Sequence, residues 1–192
     1  MKVLVLTSPR SGTHFIVRSL GLSLNASVAV KPNLENLPTE DHWVLGTHNE
    51  DLLEDCPEDV IKIGVHREML GHLLSYFNHP DNPNSDEFVE TVRQSDFFHS
   101  RETFLNLDVN YFSYDKIAKK NETEINRMSK LVGVPIKLES YTNAVKALGL
   151  EMFRNGDPDR WGRVFSEETK KNLICMSENH LLLKEKGDNC GT

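Results

Sequence analysis

A chain of 192 residues with 38% hydrophobic and 27% charged side chains fits one globular domain, long enough to bury about 70% of its unfolded surface. Its formal net charge of −7 argues against nonspecific nucleic-acid binding and against docking on an anionic membrane. Any anion site must then be a local concentration of Arg and Lys.

Residues Val3 to Leu6 form an unbroken aliphatic run, the pattern of a strand buried on both faces. Thr7-Ser-Pro-Arg-Ser-Gly-Thr13 follows, a tight loop rich in hydroxyls with one fixed cation, Arg10. Apolar residues then recur at Phe15, Ile16, Leu20 and Leu24, a helical spacing. Strand, polar loop and helix together aim backbone N–H groups and a helix N-terminus at one point, which suits an anion. Ser11, Gly12 and Thr13 fit an ordinary strand-to-helix turn equally well. Arg10 favours the anion, because a guanidinium in that crook calls for an oxyanion partner. The nucleoside-triphosphatase loop G-x-x-x-x-G-K-[ST] is not matched, since its first glycine is absent and Gly12 is followed by Thr13 instead of lysine.

Residues Lys31 to Asp41, with two prolines, read as a loop that suits a lid or a passive surface connection. His42 to His48 is a second strand, and Asn49 starts a polar helical turn. Val60 to Val65 is a third strand, running into His66-Arg67-Glu68 and a helix from Met69 to Phe77 with Leu70, Leu73, Leu74 and Phe77 on one face. His79 to Asp86 is a loop, and helices are expected over 87–95 and 97–107. Val109 to Ser113 is a fourth strand, with Tyr114-Asp115 at its end. Asn121-Glu-Thr-Glu124 is a capping box that opens a helix to about Val132, stopped by Gly133 and Pro135. A short helix over 141–148, a loop from Phe153 to Trp161 and a terminal helix over 167–184 follow, and disorder is expected in the last few residues.

Strands alternate with helices and no linker interrupts them. The expected architecture is therefore one α/β domain, 1–192, with a mostly parallel sheet of about four to five strands. Arg10, His48, Arg67 and Tyr114 each follow a strand and should share the carboxyl edge, where such sheets bind ligands. Cys56, Cys175 and Cys190 make neither a disulfide framework nor a zinc knuckle, and His66 and His72 lack a zinc spacing. No segment approaches the roughly 18 apolar residues of a membrane span, and the first apolar run is too short for a signal peptide. A cytoplasmic location is expected.

At this point the residues resemble a family. Ser8-Pro-Arg-Ser-Gly-Thr13 resembles the 5′-phosphosulfate loop of sulfotransferases that use 3′-phosphoadenosine 5′-phosphosulfate (PAPS). Val65-His-Arg67 with Ser75-Tyr76 resembles their 3′-phosphate motif, and Gly46-Thr-His48 their strand-end Lys-Thr-His, whose histidine is the base. Phe112-Ser-Tyr114-Asp115 is similar to the segment whose tyrosine lies near the adenine. Phe153-Arg-Asn-Gly156 with Trp161 is similar to the C-terminal loop that closes over the 3′-phosphate. The motifs stand in the family's order from residue 3 to about 170.

The resemblance implies a three-layer sandwich like that of the P-loop nucleoside triphosphatases. It further implies sulfuryl transfer from PAPS, leaving 3′,5′-adenosine bisphosphate (PAP), to a hydroxyl or amine of a small-molecule or carbohydrate acceptor. His48 would be the base, with His14 and Glu50 as rivals, and Arg10 would stabilise the transferring group. The nucleotide would meet Arg10, Ser11, Gly12, Thr13, His14, Arg67, Ser75, Tyr114, Arg154, Asn155 and Gly156. No metal is expected: a sulfuryl donor carries less charge than a triphosphate, and the chain offers no Walker lysine or metal-binding carboxylate pair. Asn155 and Asp159 depart from the family's lysine and glycine, and Gly46 from its lysine. A small nucleotide kinase and a non-catalytic nucleotide-binding protein of the same fold are the alternative readings.

Overall fold

A computed structural model of the chain describes residues 1–30, 41–77, 80–136 and 160–187. Five strands are present: β1 (Lys2–Thr7), β2 (Ser27–Val30), β3 (Trp43–Thr47), β4 (Val60–His66) and β5 (Asn110–Ser113). The helices are α1 (Thr13–Leu24), α2 (Met69–Tyr76), α3 (Asp86–Gln94), α4 (Phe97–Leu105), α5 (Tyr114–Ala118), α6 (Glu122–Val132), α7 (Trp161–Val164) and α8 (Glu167–Gly187). They fall into two compact units, one within Met1–Glu68 and Leu107–Pro158, the other within Met69–Asn106 and Asp159–Thr192.

The first unit holds the sheet, in the order β2-β3-β1-β4-β5 with every pairing parallel. The class is α/β with a parallel central sheet, as the alternation of strands and helices dictates. β1 lies in the middle, and the chain turns to one side of it for β2 and β3 before crossing to the other for β4 and β5. That reversal makes the carboxyl end of β1 the switch point where such sheets open a crevice. Val3 and Val5 of β1, Val44, Ile63, Val65 and Phe112 form one core with Phe15, Ile16 and Leu20 of α1 and Ile125, Met128 and Val132 of α6. Leu4 and Leu6, on the opposite face of β1, are equally buried, so the aliphatic run is covered on both sides.

Three elements go beyond the sequence reading. β2 is a fifth strand of four residues, launched where Asn25 takes a left-handed conformation and the Ala26 N–H returns to the Gly21 carbonyl at 2.9 Å, closing α1. α5 begins at Tyr114, its start capped by Ser113, whose hydroxyl accepts from the Lys116 N–H. α7 starts at Trp161, inside the end of the expected loop. The expected capping box forms by half: the Asn121 side chain accepts from the Glu124 N–H at 3.0 Å, but Glu124 does not reciprocate. Its carboxylate accepts instead from the Ser113 N–H of the edge strand at 2.7 Å and from Arg127 at 3.0 Å. The Asn121 N–H goes to the Lys116 carbonyl at 2.9 Å. A peptide group at a sheet edge needs a partner, and the buried carboxylate serves it.

The second unit is helical, and its core mixes aliphatic side chains with a cluster of aromatic rings. Leu73, Leu74, Phe88, Val92, Phe97, Phe165 and Leu173 are buried together. The Phe97 ring lies 4.9 Å from His72, 5.2 Å from Tyr76 and 5.3 Å from Phe98. Ser85 caps α3, accepting from the Phe88 N–H, so this helix starts at Asp86, one residue before its expected first position. Residues 31–40 of the loop expected over Lys31–Asp41, the helix over 141–148, the loop carrying Arg154, Asn155 and Gly156, and the last five residues lie outside the described residues.

Candidate active site

The loop after β1 folds by a turn of the type II pattern. Pro9 presets the second position, Arg10 takes the third at φ 66°, and the Ser11 N–H returns to the Ser8 carbonyl at 3.2 Å. The two serine hydroxyls close it from the side at 2.8 Å. A left-handed arginine is uncommon, and here the turn puts its side chain out in solvent at the tip. Gly12 then adopts φ 95° and leads into α1. The first-turn N–H groups of α1 lack intrahelical acceptors by helix geometry, and they add the positive end of the helix dipole.

The register of the strands aligns their carboxyl ends. Leu6 is opposite Thr47, Thr7 opposite Val65, and His66 opposite Ser113. One residue past β3, His48 therefore stands level with Thr7. Its Nδ1 is 2.8 Å from the Thr7 carbonyl oxygen and 3.0 Å from Thr7 Oγ1. A carbonyl only accepts, so Nδ1 carries the proton in the neutral ring and Nε2 carries the lone pair. Thr7 Oγ1 also lies 2.5 Å from Thr13 Oγ1 in the first turn of α1, and both threonines are buried.

This contact depends on how closely α1 sits on β3. A Cβ at Gly46 would come within 2.7 Å of the Val17 side chain and 2.8 Å of the Thr13 methyl. A glycine at this position is thus required by the packing that brings Thr13 to Thr7.

On the other side of β1, the Tyr114 ring packs directly on Gly12, where an added Cβ would overlap it. The Arg67 guanidinium lies 5.1 Å from the same ring's centroid, and its Nε is 3.8 Å from Asp115 Oδ1. The other oxygen of Asp115 accepts from the Glu68 N–H at 2.6 Å, fixing the chain as it leaves β4. Burial pushes the Tyr114 hydroxyl pKa up, Arg67 opposing and Asp115 adding, so the phenol stays protonated at neutral pH.

His14, second in α1, is largely exposed. Partial desolvation, and then repulsion from His48 and Arg18, nonetheless pull it below the ordinary histidine range. Glu50, two residues beyond His48, is exposed and opens a single 3₁₀ turn, Glu50–Leu53.

No protein-family model matches the chain, and no curated protein sequence does either. Solved structures match its fold. The mouse sulfotransferase SULT7A1, a complex with PAP, superposes with a TM-score of 0.62 at 14% identity, over 90% of this chain and 82% of its own. Retinol dehydratase, in complex with androsterone and inactive cofactor PAP, gives 0.56 at 14% identity, over 94% of this chain and 80% of its own. The fold is that of the sulfotransferases.

Within this fold, Arg10, Ser11, Gly12, Thr13, His48, Arg67 and Tyr114 all belong to the sheet unit, at or just beyond the carboxyl ends of their strands. Ser75 belongs to the helical unit, half-buried on α2. Trp161 packs against the aromatic core of that unit, where the Lys170 ammonium lies 5.8 Å from its ring centroid. Arg154, Asn155 and Gly156 are outside the described residues. Sequence reasoning assigned no role to Thr7 or Asp115. The contact between Thr7 and His48 spans 41 positions and leaves no local trace; for Asp115 the available signal was its place directly after Tyr114. Among the described residues, no group of three His, Cys, Asp or Glu side chains is disposed to hold a metal ion, and no helix is long and apolar enough to cross a membrane.

Proposed function

We propose that this chain transfers a sulfuryl group from PAPS to an acceptor hydroxyl or amine on a small molecule or carbohydrate. The observation that carries the proposal is the seating of His48: a strand-end imidazole, exposed at the carboxyl edge, with Nδ1–H on the Thr7 carbonyl and the Nε2 lone pair left for an incoming proton. Such a ring is preset as a general base beside a loop built for an anion. The residues at this edge suit a doubly phosphorylated nucleotide: Arg10, Ser11, Gly12, Thr13 and His14 at the start of α1, and Arg67 beside Tyr114.

The bound donor supplies a sulfuryl group on a phosphate leaving group. On this reading His48 Nε2 removes the acceptor's proton. Arg10 and the first-turn amides of α1 stabilise charge developing on the phosphate and the transferring group. Arg67 takes the 3′-phosphate, held in orientation by Asp115. Ser75, Arg154, Asn155 and Gly156 are proposed further contacts to that phosphate, and Tyr114 lies near the adenine. Gly46 leaves the edge one cation poorer than the family pattern, so Arg10 and Arg67 carry more of the charge.

Transfer from radiolabelled PAPS across a panel of alcohols, phenols, amines and sugars tests the proposal. Turnover of at least one acceptor is expected, and His48→Ala should reduce kcat by about 10²–10⁴ while leaving PAP binding within a few-fold. Undiminished transfer in His48→Ala would remove His48 from the mechanism. Phosphoryl transfer from ATP and Mg²⁺ in place of sulfuryl transfer would establish the kinase reading.

A further inference from the structure

Thr7 does more than end a strand, because three of its interactions converge on the edge of the sheet. Its carbonyl oxygen is 2.8 Å from His48 Nδ1, its hydroxyl is 3.0 Å from the same nitrogen, and that hydroxyl is 2.5 Å from Thr13 Oγ1. The protons on these atoms can be assigned by elimination. Nδ1 holds one hydrogen and directs it at Thr7, so it has no lone pair to accept from the Thr7 hydroxyl. Thr7 Oγ1 can then meet Nδ1 only as a second acceptor, and its own hydrogen must go elsewhere. Thr7 is 1% exposed, where an unpaired hydroxyl is costly, and Thr13 Oγ1 is the acceptor within reach. Thr13 thus accepts from Thr7 and turns its own hydrogen away from it. The bonds run in one direction, from His48 through Thr7 to Thr13.

We infer that Thr7 is a positioning residue that couples the anion loop to the base: the Thr13–Thr7–His48 hydroxyl chain reinforces the Thr7 carbonyl in holding His48 as the Nδ1–H tautomer with Nε2 basic. This deepens the sulfotransferase reading and borrows from it the identity of the base. The chain itself is a property of the ligand-free protein. An oxyanion that accepts from Thr13 polarises its hydroxyl, makes Thr13 Oγ1 a better acceptor for Thr7, and in turn makes Thr7 Oγ1 a better acceptor for Nδ1–H. Occupancy of the donor loop would thereby be felt at the base without the two touching.

The test is long-range ¹H–¹⁵N NMR of the full chain labelled at histidine nitrogens, recorded above the ordinary histidine range, with His48 assigned through His48→Gln. Without ligand, His48 is expected to read as Nδ1–H. Thr7→Val, which keeps the carbonyl and removes the hydroxyl, should leave Nδ1–H the major form but move the balance measurably toward Nε2–H; Thr13→Val should move it the same way, and Thr7→Ser should restore it. Thermal unfolding of each variant separates this change from a general loss of structure. A wild-type ring dominated by Nε2–H, or valine variants identical to wild type in tautomer, would overturn the inference. Where transfer is measured, Thr7→Val should lower kcat about five- to tenfold, the worth of one hydrogen bond, with the donor KM little changed. An absence of transfer would count against the sulfotransferase reading and leave the tautomer result to decide this one.

Discussion

The two compact units handle polar groups in opposite ways. The sheet unit has a largely aliphatic core, and among its described residues the buried polar side chains other than Ser19 on α1 and Glu124 on α6 gather at the carboxyl ends of the strands: Thr7, Ser8, Ser11, Thr13, Thr47 and Ser113. The helical unit packs ring on ring and, among its described residues, buries only His72 and Thr169 as polar side chains. Parallel register makes that gathering possible. Residues 7, 13, 48, 67 and 114 come to one edge because the strand ends are level, while aromatic rings packed mostly edge to face secure stability in the helical unit. The comparison teaches where to look for chemistry and where to look for folding energy.

The largest effect that sharpens this contrast is on folding. Phe97, 1% exposed among aromatic neighbours, should cost about 3–5 kcal/mol when replaced by alanine, read as a lower urea midpoint. The His48 tautomer signal of the molecules that remain folded should not change. A loss below about 1 kcal/mol would mean that the aromatic cluster does not hold the helical unit together.

Gly12→Ala comes next and strikes the sheet unit at its edge. A side chain at φ 95° is strained, a cost of about 1–3 kcal/mol, and its Cβ would overlap the Tyr114 ring. The expected result is a moderate loss of stability together with a large loss of PAP affinity, seen by calorimetry. Wild-type affinity in this variant would show that the loop geometry is not needed for binding.

The smallest effect concerns acid stability. Burial raises the Glu124 pKa, but the Ser113 N–H and Arg127 outweigh it and hold the carboxyl below its ordinary value of 4.5. Because the folded value lies below the unfolded one, this contribution is full at neutral pH and disappears as pH falls through the folded value. Glu124→Gln should lose about 1–2 kcal/mol at neutral pH, and its urea midpoint should converge on that of wild type in strong acid. A constant difference at every pH would rule out the carboxylate as its source.

The parts of this account legible from sequence were those with a local signature. The run Val3–Leu6 announced a central strand, Thr7–Thr13 announced a tight strand-to-helix turn, and four strand ends located Arg10, His48, Arg67 and Tyr114 on one edge. β2 escaped because Ser27–Val30 is only four residues long and half exposed, too little to show a period. α5 escaped because its five residues follow β5 without a break. Glu124 fitted a local motif exactly where a tertiary partner, the Ser113 N–H, competed for it and won. The tie between Thr7 and His48 was invisible for a simpler reason: it depends on strand register, which pairing in three dimensions sets.

The central claim is that the sheet edge grips a nucleotide phosphorylated at both ends. Isothermal calorimetry of the full chain with 3′,5′-adenosine bisphosphate, with and without EDTA, tests it most directly, repeated for Arg10→Ala and Arg67→Ala. Binding should be indifferent to EDTA and at least tenfold weaker in each variant, as expected when a charged hydrogen bond to phosphate is lost. Tighter binding of ATP with Mg²⁺ than of the bisphosphate, or unchanged affinity in both arginine variants, would contradict it.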